Sequence, residues 1–266
     1  NHGLRISAEK ESLKVKKLLK KIGISLEIIK NKTKIKNNIQ GQAREIRYKL
    51  LVDFCKKKYI KNILTAHHSD DQVETFFIRL SRGSGVQGLS SMKQFTKLSK
   101  NTSLIRPFLD IKKKELIFIA KKVFGKYITD PSNKNVKYLR TKIRKLNTIL
   151  EKSGIHQDQI IRSIKNLAST RDIINDYIDN LHKKLVTKKK DIVTIDYKKF
   201  SLEKSEIQLR LLSYIIKDFS KSYYPPRSNK VLGLLDRIHK KSLNKQTLSG
   251  CLIEKTKNFI TVKKER

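Results

Sequence analysis

Apolar residues recur along the chain with two periods, and the switches between them outline the elements. Leu13, Leu18, Leu19 and Ile22 fall on one helical face within residues 7–22, a stretch opened by the potential cap Ser7 and closed by Gly23. Residues 24–29, Ile-Ser-Leu-Glu-Ile-Ile, read as a strand, the polar stretch 30–40 as a loop, and residues 42–58 as a second helix. A strand over 62–66 follows. Ser69 or Asp70 then caps a helix whose apolar side is Val73, Phe76, Phe77 and Leu80, and Gly83 ends it. Residues 112–124 read as a further helix, and Asp130-Pro131-Ser132-Asn133 as a turn with Pro in its favoured second position. This alternation of helix and strand predicts an α/β fold, a parallel sheet with helices on both faces and right-handed crossovers.

Beyond about residue 145 the pattern becomes long and helical. Residues 156–185 carry Ile160, Ile161, Ile164, Leu167, Ile173, Ile174, Tyr177, Ile178 and Leu181 at spacings of three and four. Helices over 203–219 and 227–241 follow, and 247–262 reads as a small hairpin turning at 254–258. The expected organisation is therefore a domain over 1–147 and a mainly helical domain over 148–266 that ends in a small hairpin.

The densest chemistry lies at 66–92. Ala66-His67-His68-Ser69-Asp70-Asp71-Gln72-Val73-Glu74-Thr75 is followed by Arg79-Leu80-Ser81-Arg82-Gly83-Ser84-Gly85-Val86-Gln87-Gly88-Leu89. Asp71 and Glu74, three apart, share a face of the first helical turn. His67 falls at the carboxyl end of a strand, where ligands bind in open α/β sheets. Two carboxylates at such a mouth suit a small cation, whether a metal or an ammonium group. The structural alternative, acids that merely favour the positive end of the helix dipole, explains an isolated pair but not the histidines and the Arg/Gly tail beside it.

These residues resemble the tRNA(Ile)-lysidine synthase family, whose signature has the form His-His-x-Asp-Asp-Gln-x-Glu-Thr, then Arg-Leu-x-Arg-Gly-Ser-Gly-x-x-Gly-Leu-x-x-Met, completed here by Met92. Asn1-His2-Gly3-Leu4-Arg5, Ala43-Arg44-Glu45-Ile46-Arg47-Tyr48, Ile105-Arg106-Pro107-Phe108-Leu109, and Asp130-Pro131-Ser132-Asn133 with Tyr138, Arg140 and Arg144 agree as well. Residues 203–262 are similar to the family's following helical domain more loosely.

The resemblance implies an N-type ATP pyrophosphatase fold over 1–147, a tRNA-contacting role for 148–266, and a two-step reaction. ATP, with Mg2+, adenylates the C2 oxygen of the wobble cytidine in an isoleucine tRNA. The ε-amine of free lysine then displaces AMP to give lysidine. On that reading Asp71 and Glu74 bind lysine, His67 orients the nucleophile or takes its proton, and Arg47 and Arg140 meet phosphate or the lysine carboxylate. Arg82 with Gly83-Ser84-Gly85 shapes the turn or touches tRNA, whereas His68 and Asp70 read as packing or capping groups. The family's Ser-Gly-Gly-x-Asp-Ser phosphate loop lies upstream of the segment matching Asn1-His2-Gly3 and is not in this sequence. The nucleotide-phosphate ligands are therefore unknown, and the expectation is an internal piece of a longer protein, or the product of a split or truncated gene, whose activity by itself is open.

Composition adds a partner class. Lys+Arg is 62 against 24 Asp+Glu, a formal net charge of +38, with +25 in residues 1–150 and +13 in the remainder. Such a field attracts polyanions, tRNA among them, although a genome biased toward Lys, Ile and Asn produces the same excess. Arginine is more selective: there are 14 Arg against 48 Lys, and the eight before residue 150 all fall in the segments quoted above. Planar guanidinium groups suit phosphate and carboxylate.

Cys55 and Cys251 are too few for a disulfide framework and match no zinc spacing, so no metal site is expected. No apolar run reaches membrane-spanning length, and the cytoplasm is the expected compartment. Three other readings stay open here. One is another tRNA-modifying ATP pyrophosphatase, such as a thiolation enzyme; another is a non-catalytic RNA-binding remnant. The third is a metal-dependent phosphoesterase built on His-His-x-Asp-Asp.

Overall fold

The computed structural model describes residues 1, 7–31, 39–125, 127, 139–189, 191–222, 225–240 and 245–265. The segments around His2 to Arg5, most of the 30–40 loop, the 130–133 turn with Tyr138, and Tyr223-Tyr224 lie outside them. The chain forms two compact units, Asn1–Ala168 and Ser169–Arg266.

In the first unit α1 (Ser7–Lys20) and α2 (Ile39–Lys57) precede β1 (Asn62–Leu64), α3 (Ser69–Leu80) and α4 (Val86–Leu89). After these come β2 (Phe95–Lys97), β3 (Ser103–Ile105), α5 (Lys113–Phe124), α6 (Leu139–Lys152) and α7 (Gln157–Leu185), the last running on into the second unit. The sheet order is β1-β3-β2. β1 and β3 are parallel, with Ile63 opposite Leu104. β2 returns antiparallel, Thr96 opposite Leu104, because the tight connection through Leu98 and Thr102 reverses the chain. The sheet is thus mixed where the sequence pattern predicts parallel strands. Three-residue strands are too short to show a period. Tyr48 and Cys55 of α2 bury Ile63 and Leu104, supported by Leu51, Val52 and Leu98.

Residues 24–29 belong to neither sheet among the described residues. Their apolar content predicts a strand, yet a strand needs a ladder partner. Here a single rung is present, of parallel form: the Asn1 amino group donates to Ile29 O at 2.7 Å, and Asn31 N donates to Asn1 O at 2.9 Å.

In the second unit the rest of α7 leads into β4 (Val186–Lys189), β5 (Ile192–Asp196), α8 (Tyr197–Phe200), α9 (Ser205–Ser220) and α10 (Ser228–His239). Strands β6 (Lys245–Leu248), β7 (Cys251–Lys255) and β8 (Phe259–Lys264) follow. The predicted hairpin is β7–β8, and it belongs to a five-stranded antiparallel sheet of order β4-β5-β8-β7-β6. Helices still predominate here, as expected, and the hairpin is part of a larger sheet than the sequence pattern announces. β4 is the edge strand Val-Thr-Lys-Lys, whose lysines blunt the exposed edge and hide its strand character. Leu211, Leu212, Ile215 and Ile216 of α9 and Val231, Leu234 and Ile238 of α10 pack on Val193, Ile195, Ile253, Ile260 and Val262.

Candidate active site

The site begins where the chain leaves β1. Thr65 N still bonds Ile105 O at 3.0 Å, so His67 emerges at the carboxyl end of the β1/β3 pair. The N-cap of α3 is His68, with extended backbone, one residue earlier than the polar pattern suggests. Its N–H donates to Asp71 Oδ2 at 3.1 Å, so Asp71 closes the first turn from within. Asp70 serves a different helix: its Oδ1 accepts from Lys113 N, the first residue of α5, at 2.9 Å. Ser69 N donates to Ile111 O at 2.9 Å and ties the same two helix starts together.

Asp71 and Glu74 do share the first turns of α3, but their surroundings differ. Glu74 is only 2% exposed. Its Oε1 accepts from Arg144 Nε at 2.5 Å, Arg144 Nη2 lies 3.4 Å from Oε2, and Arg140 Nε is 4.0 Å from Oε2. The hydrogen bond to Glu74 holds the Arg144 guanidinium above its ordinary value against the cost of burial, with Asp71 and Asp70 adding to the effect. α6, which supplies both arginines, is thereby fastened to α3. Arg144 stands in one of the quoted motif segments, which by themselves assign it no role. The signal lay in Leu139, Ile143, Leu146 and Leu150, whose spacing marks an amphipathic helix that turns 140 and 144 the same way.

His67 is partly buried, with Nδ1 hydrogen-bonded to Thr65 Oγ1 at 2.9 Å. Burial pushes its imidazole down to about 4; Asp71 opposes this, while Arg106, Arg44 and Arg140 lower it further. His67 is therefore neutral near pH 7. Burial also lowers the Arg47 guanidinium, which Tyr48 offsets and Arg44 and Arg140 reinforce. Arg44 stacks over the Tyr48 ring at 5.0 Å. Arg106 is 4% exposed; its Nη1 donates to Lys93 O at 2.7 Å and Thr96 Oγ1 at 3.0 Å, and its buried Nε has no partner. The structure thus groups His67, Asp71, Arg47 and Arg140 with Arg44 and Arg106, two arginines to which the motifs by themselves assign no role. Positive charge dominates, and one neutral imidazole sits within it.

The rest of the long motif holds backbone. Arg79 Nη1 donates to Gly88 O at 2.6 Å and Ser91 O at 3.0 Å. Gln72 donates to Met92 O at 3.0 Å and accepts from Met92 N at 2.8 Å, while Ser91 Oγ donates to Gln72 O at 3.2 Å. A Cβ on Gly88 would lie 2.5 Å from Ser84 Cβ, which explains a glycine there. Gly83 has φ +66°, and Arg82 beside it is exposed.

The model of the PP-loop domain, ATP_bind_3, matches residues 1–150. The chain belongs to the PP-loop family. Its PP-loop domain and the residues beyond it align with the tRNA(Ile)-lysidine synthase of Wolbachia pipientis wMel, 38% identical over 278 residues, covering 100% of this chain and 62% of that protein. The tRNA(Ile)-lysidine synthase of Bradyrhizobium diazoefficiens is 29% identical, with 95% of this chain and 76% of that protein covered. The chain thus spans about three-fifths of the first of these relatives. Among solved structures, the U34-tRNA thiolase NcsA from Methanococcus maripaludis with its [4Fe-4S] cluster superimposes with a TM-score of 0.51 at 20% identity, over 63% of this chain and 60% of that one. That likeness concerns the fold.

Among the described residues no group of three or more His, Cys, Asp or Glu is placed to hold a metal ion. Cys55 and Cys251 are free and buried, one in each unit of the PP-loop protein. No helix among the described residues is long and apolar enough to cross a membrane.

Proposed function

We propose that this PP-loop protein ligates lysine onto the wobble cytidine of an isoleucine tRNA at the expense of ATP. The observation that carries the reading is the alignment of the whole chain with tRNA(Ile)-lysidine synthases, joined to a strand-end site in which a neutral histidine and an aspartate sit among arginines. ATP adenylates the C2 oxygen of the base with loss of pyrophosphate. The lysine ε-amine forms the new C–N bond at C2, the C–O bond breaks, and AMP leaves. Arg47 and Arg140, with Arg44 and Arg106 behind them, favour the charge of the transferred phosphate and of the departing AMP. Asp71 and Glu74 hold lysine, Asp71 from the His67 side and Glu74 from its pairing with Arg144. His67, neutral at the working pH, accepts the proton that the attacking amine sheds. Mg2+ accompanies the nucleotide phosphates, and no step of this scheme passes through it. The first domain, 1–147, is the catalytic part, and 148–266 supplies basic surface for tRNA.

The test is ATP-dependent transfer of labelled lysine into isoleucine tRNA by the protein that carries this sequence. Asp71→Asn should raise the lysine requirement about tenfold or more, as expected when a charge-assisted hydrogen bond is lost, and leave tRNA binding unchanged. Absence of lysine transfer by the unaltered protein overturns the reading.

A further inference from the structure

Helix α10 of the second unit carries a glycine where a helix gains nothing from one. Gly233 stands in its middle, and a residue without a side chain destabilises a helix interior relative to alanine. Its φ is not positive, so no left-handed turn calls for it. A Cβ built on it would meet nothing within 4 Å among the described residues, so no neighbour calls for it either, in contrast to Gly88 against Ser84. Val231, Leu234, Leu235 and Ile238 face the core, and Gly233 is exposed on the opposite side. What the bare surface does provide is room for another molecule to approach the helix closely.

The side chains around this gap favour one kind of molecule. Lys230, Arg237 and Lys240 stand at i−3, i+4 and i+7 from Gly233, on the same face and all exposed. Asn229 at i−4 adds an amide, and a single carboxylate, Asp236 at i+3, opposes the three cations. The exposed Leu232 is the next residue along and therefore points about 100° away around the helix. A lipid surface or a protein groove needs apolar anchors on the docking face, which these positions do not carry. A sugar-phosphate backbone needs cations, polar groups and space between them.

We propose that the outer face of α10 docks the sugar-phosphate backbone of the tRNA, which crosses the helix at Gly233 with Lys230 and Arg237 holding phosphates on either side. The proposal rests on the reading that a tRNA is the substrate, and it replaces a diffuse charge with a defined contact outside the quoted motifs. The net charge of +38 brings a polyanion near any part of the surface. Gly233 sets where it comes closest.

Binding of an unmodified isoleucine tRNA to the 266-residue protein across a range of salt, read beside thermal melts, tests this. Alanine and leucine both favour helix over glycine, so Gly233→Ala and Gly233→Leu should raise the melting temperature by about 2–6 °C. The same substitutions should weaken tRNA binding, about threefold for Ala and about tenfold for Leu. Lys230→Gln and Arg237→Gln should each lower the slope of log affinity against log salt by about one, and Asp236→Asn should tighten binding. An exposed glycine without a role predicts the gain in stability alone, so a Gly233→Leu protein that binds tRNA as tightly as wild type overturns the proposal, whether or not it has lost affinity for anionic phospholipid vesicles. An unchanged salt slope in the Lys230→Gln, Arg237→Gln double variant overturns it too, as does a melting temperature lowered by either glycine substitution, since the fold itself would then fill the gap. Weakened tRNA binding by Gly233→Leu in a protein without lysine-transfer activity supports the surface and removes the ligase reading instead.

Discussion

Among the described residues, the second unit buries a nearly continuous apolar set, running from Ile178 of α7 through α9 and α10 to Val262 of β8, and the buried polar residues within it are Arg171 and Gln208. The first unit gathers its small apolar cluster around Ile63 and Leu104 and buries Ser69, Gln72, Glu74, Ser90, Ser91, Thr102, Arg106 and Thr141. The second unit is held by area removed from water, a term that tolerates conservative swaps. The first is held largely by directional bonds that are costly to leave half made. This is the arrangement expected of a scaffold whose interior doubles as a site, and it makes the two units respond to different perturbations.

The largest effect should come from the apolar unit. Phe200 is fully buried, and Phe200→Ala should cost about 3–5 kcal/mol, read as a lowered calorimetric transition for that unit. A loss below 1 kcal/mol would show that this core collapses around the gap and would erase the contrast. In the first unit, Arg144→Met strands the buried Glu74 carboxylate. The expected loss is about 2–3 kcal/mol, less than for a fully enclosed pair because Arg144 is one-third exposed. Adding Glu74→Gln should recover part of it, and urea titration of the single and double variants measures the coupling. Equal losses in both would mean that the pair does not act as a unit.

The smallest effect is in pH. The His67 imidazole lies at about 4 in the folded chain against 6.5 for an unperturbed histidine, so the unfolded chain takes up the proton first as pH falls. The associated stability is fully present above pH 6.5 and declines toward pH 4, by about 1–2 kcal/mol once screening at this partly exposed ring is allowed for. Urea unfolding at pH 7 and pH 5 should show a larger drop for the wild type than for His67→Gln, and parallel drops would place His67 in a solvent-like setting.

The contrast also governs what the sequence could disclose. Helices with an apolar stripe were legible nearly to their ends: the pattern over 156–185 became Gln157–Leu185, and that over 112–124 became Lys113–Phe124. Strands were less so, because β2 and β3 have three residues each and β4 is lysine-rich. The motif residues mark where to look for a candidate site, but residue types do not say which partner each will choose. His68, Asp70 and Asp71 all suit a helix start, and only the fold sends Asp70 to α5 and Asp71 back to its own helix. The Glu74–Arg144 pair joins positions 70 residues apart; both fall in quoted motifs, but only the fold pairs them.

The carbonyl grip of Arg79 on Gly88 and Ser91 has a mechanical side. A stretch containing Gly83, Gly85 and Gly88 would ordinarily wander among many conformations, and arresting it at the moment of binding would subtract from affinity. Arg79 and the Gln72–Met92 amide exchange hold it beforehand, tying Gly88, Ser91 and Met92 to α3. On the proposed function, a substrate at the start of α3 would meet a wall already set, and a tilt of that helix would carry the glycine turn with it.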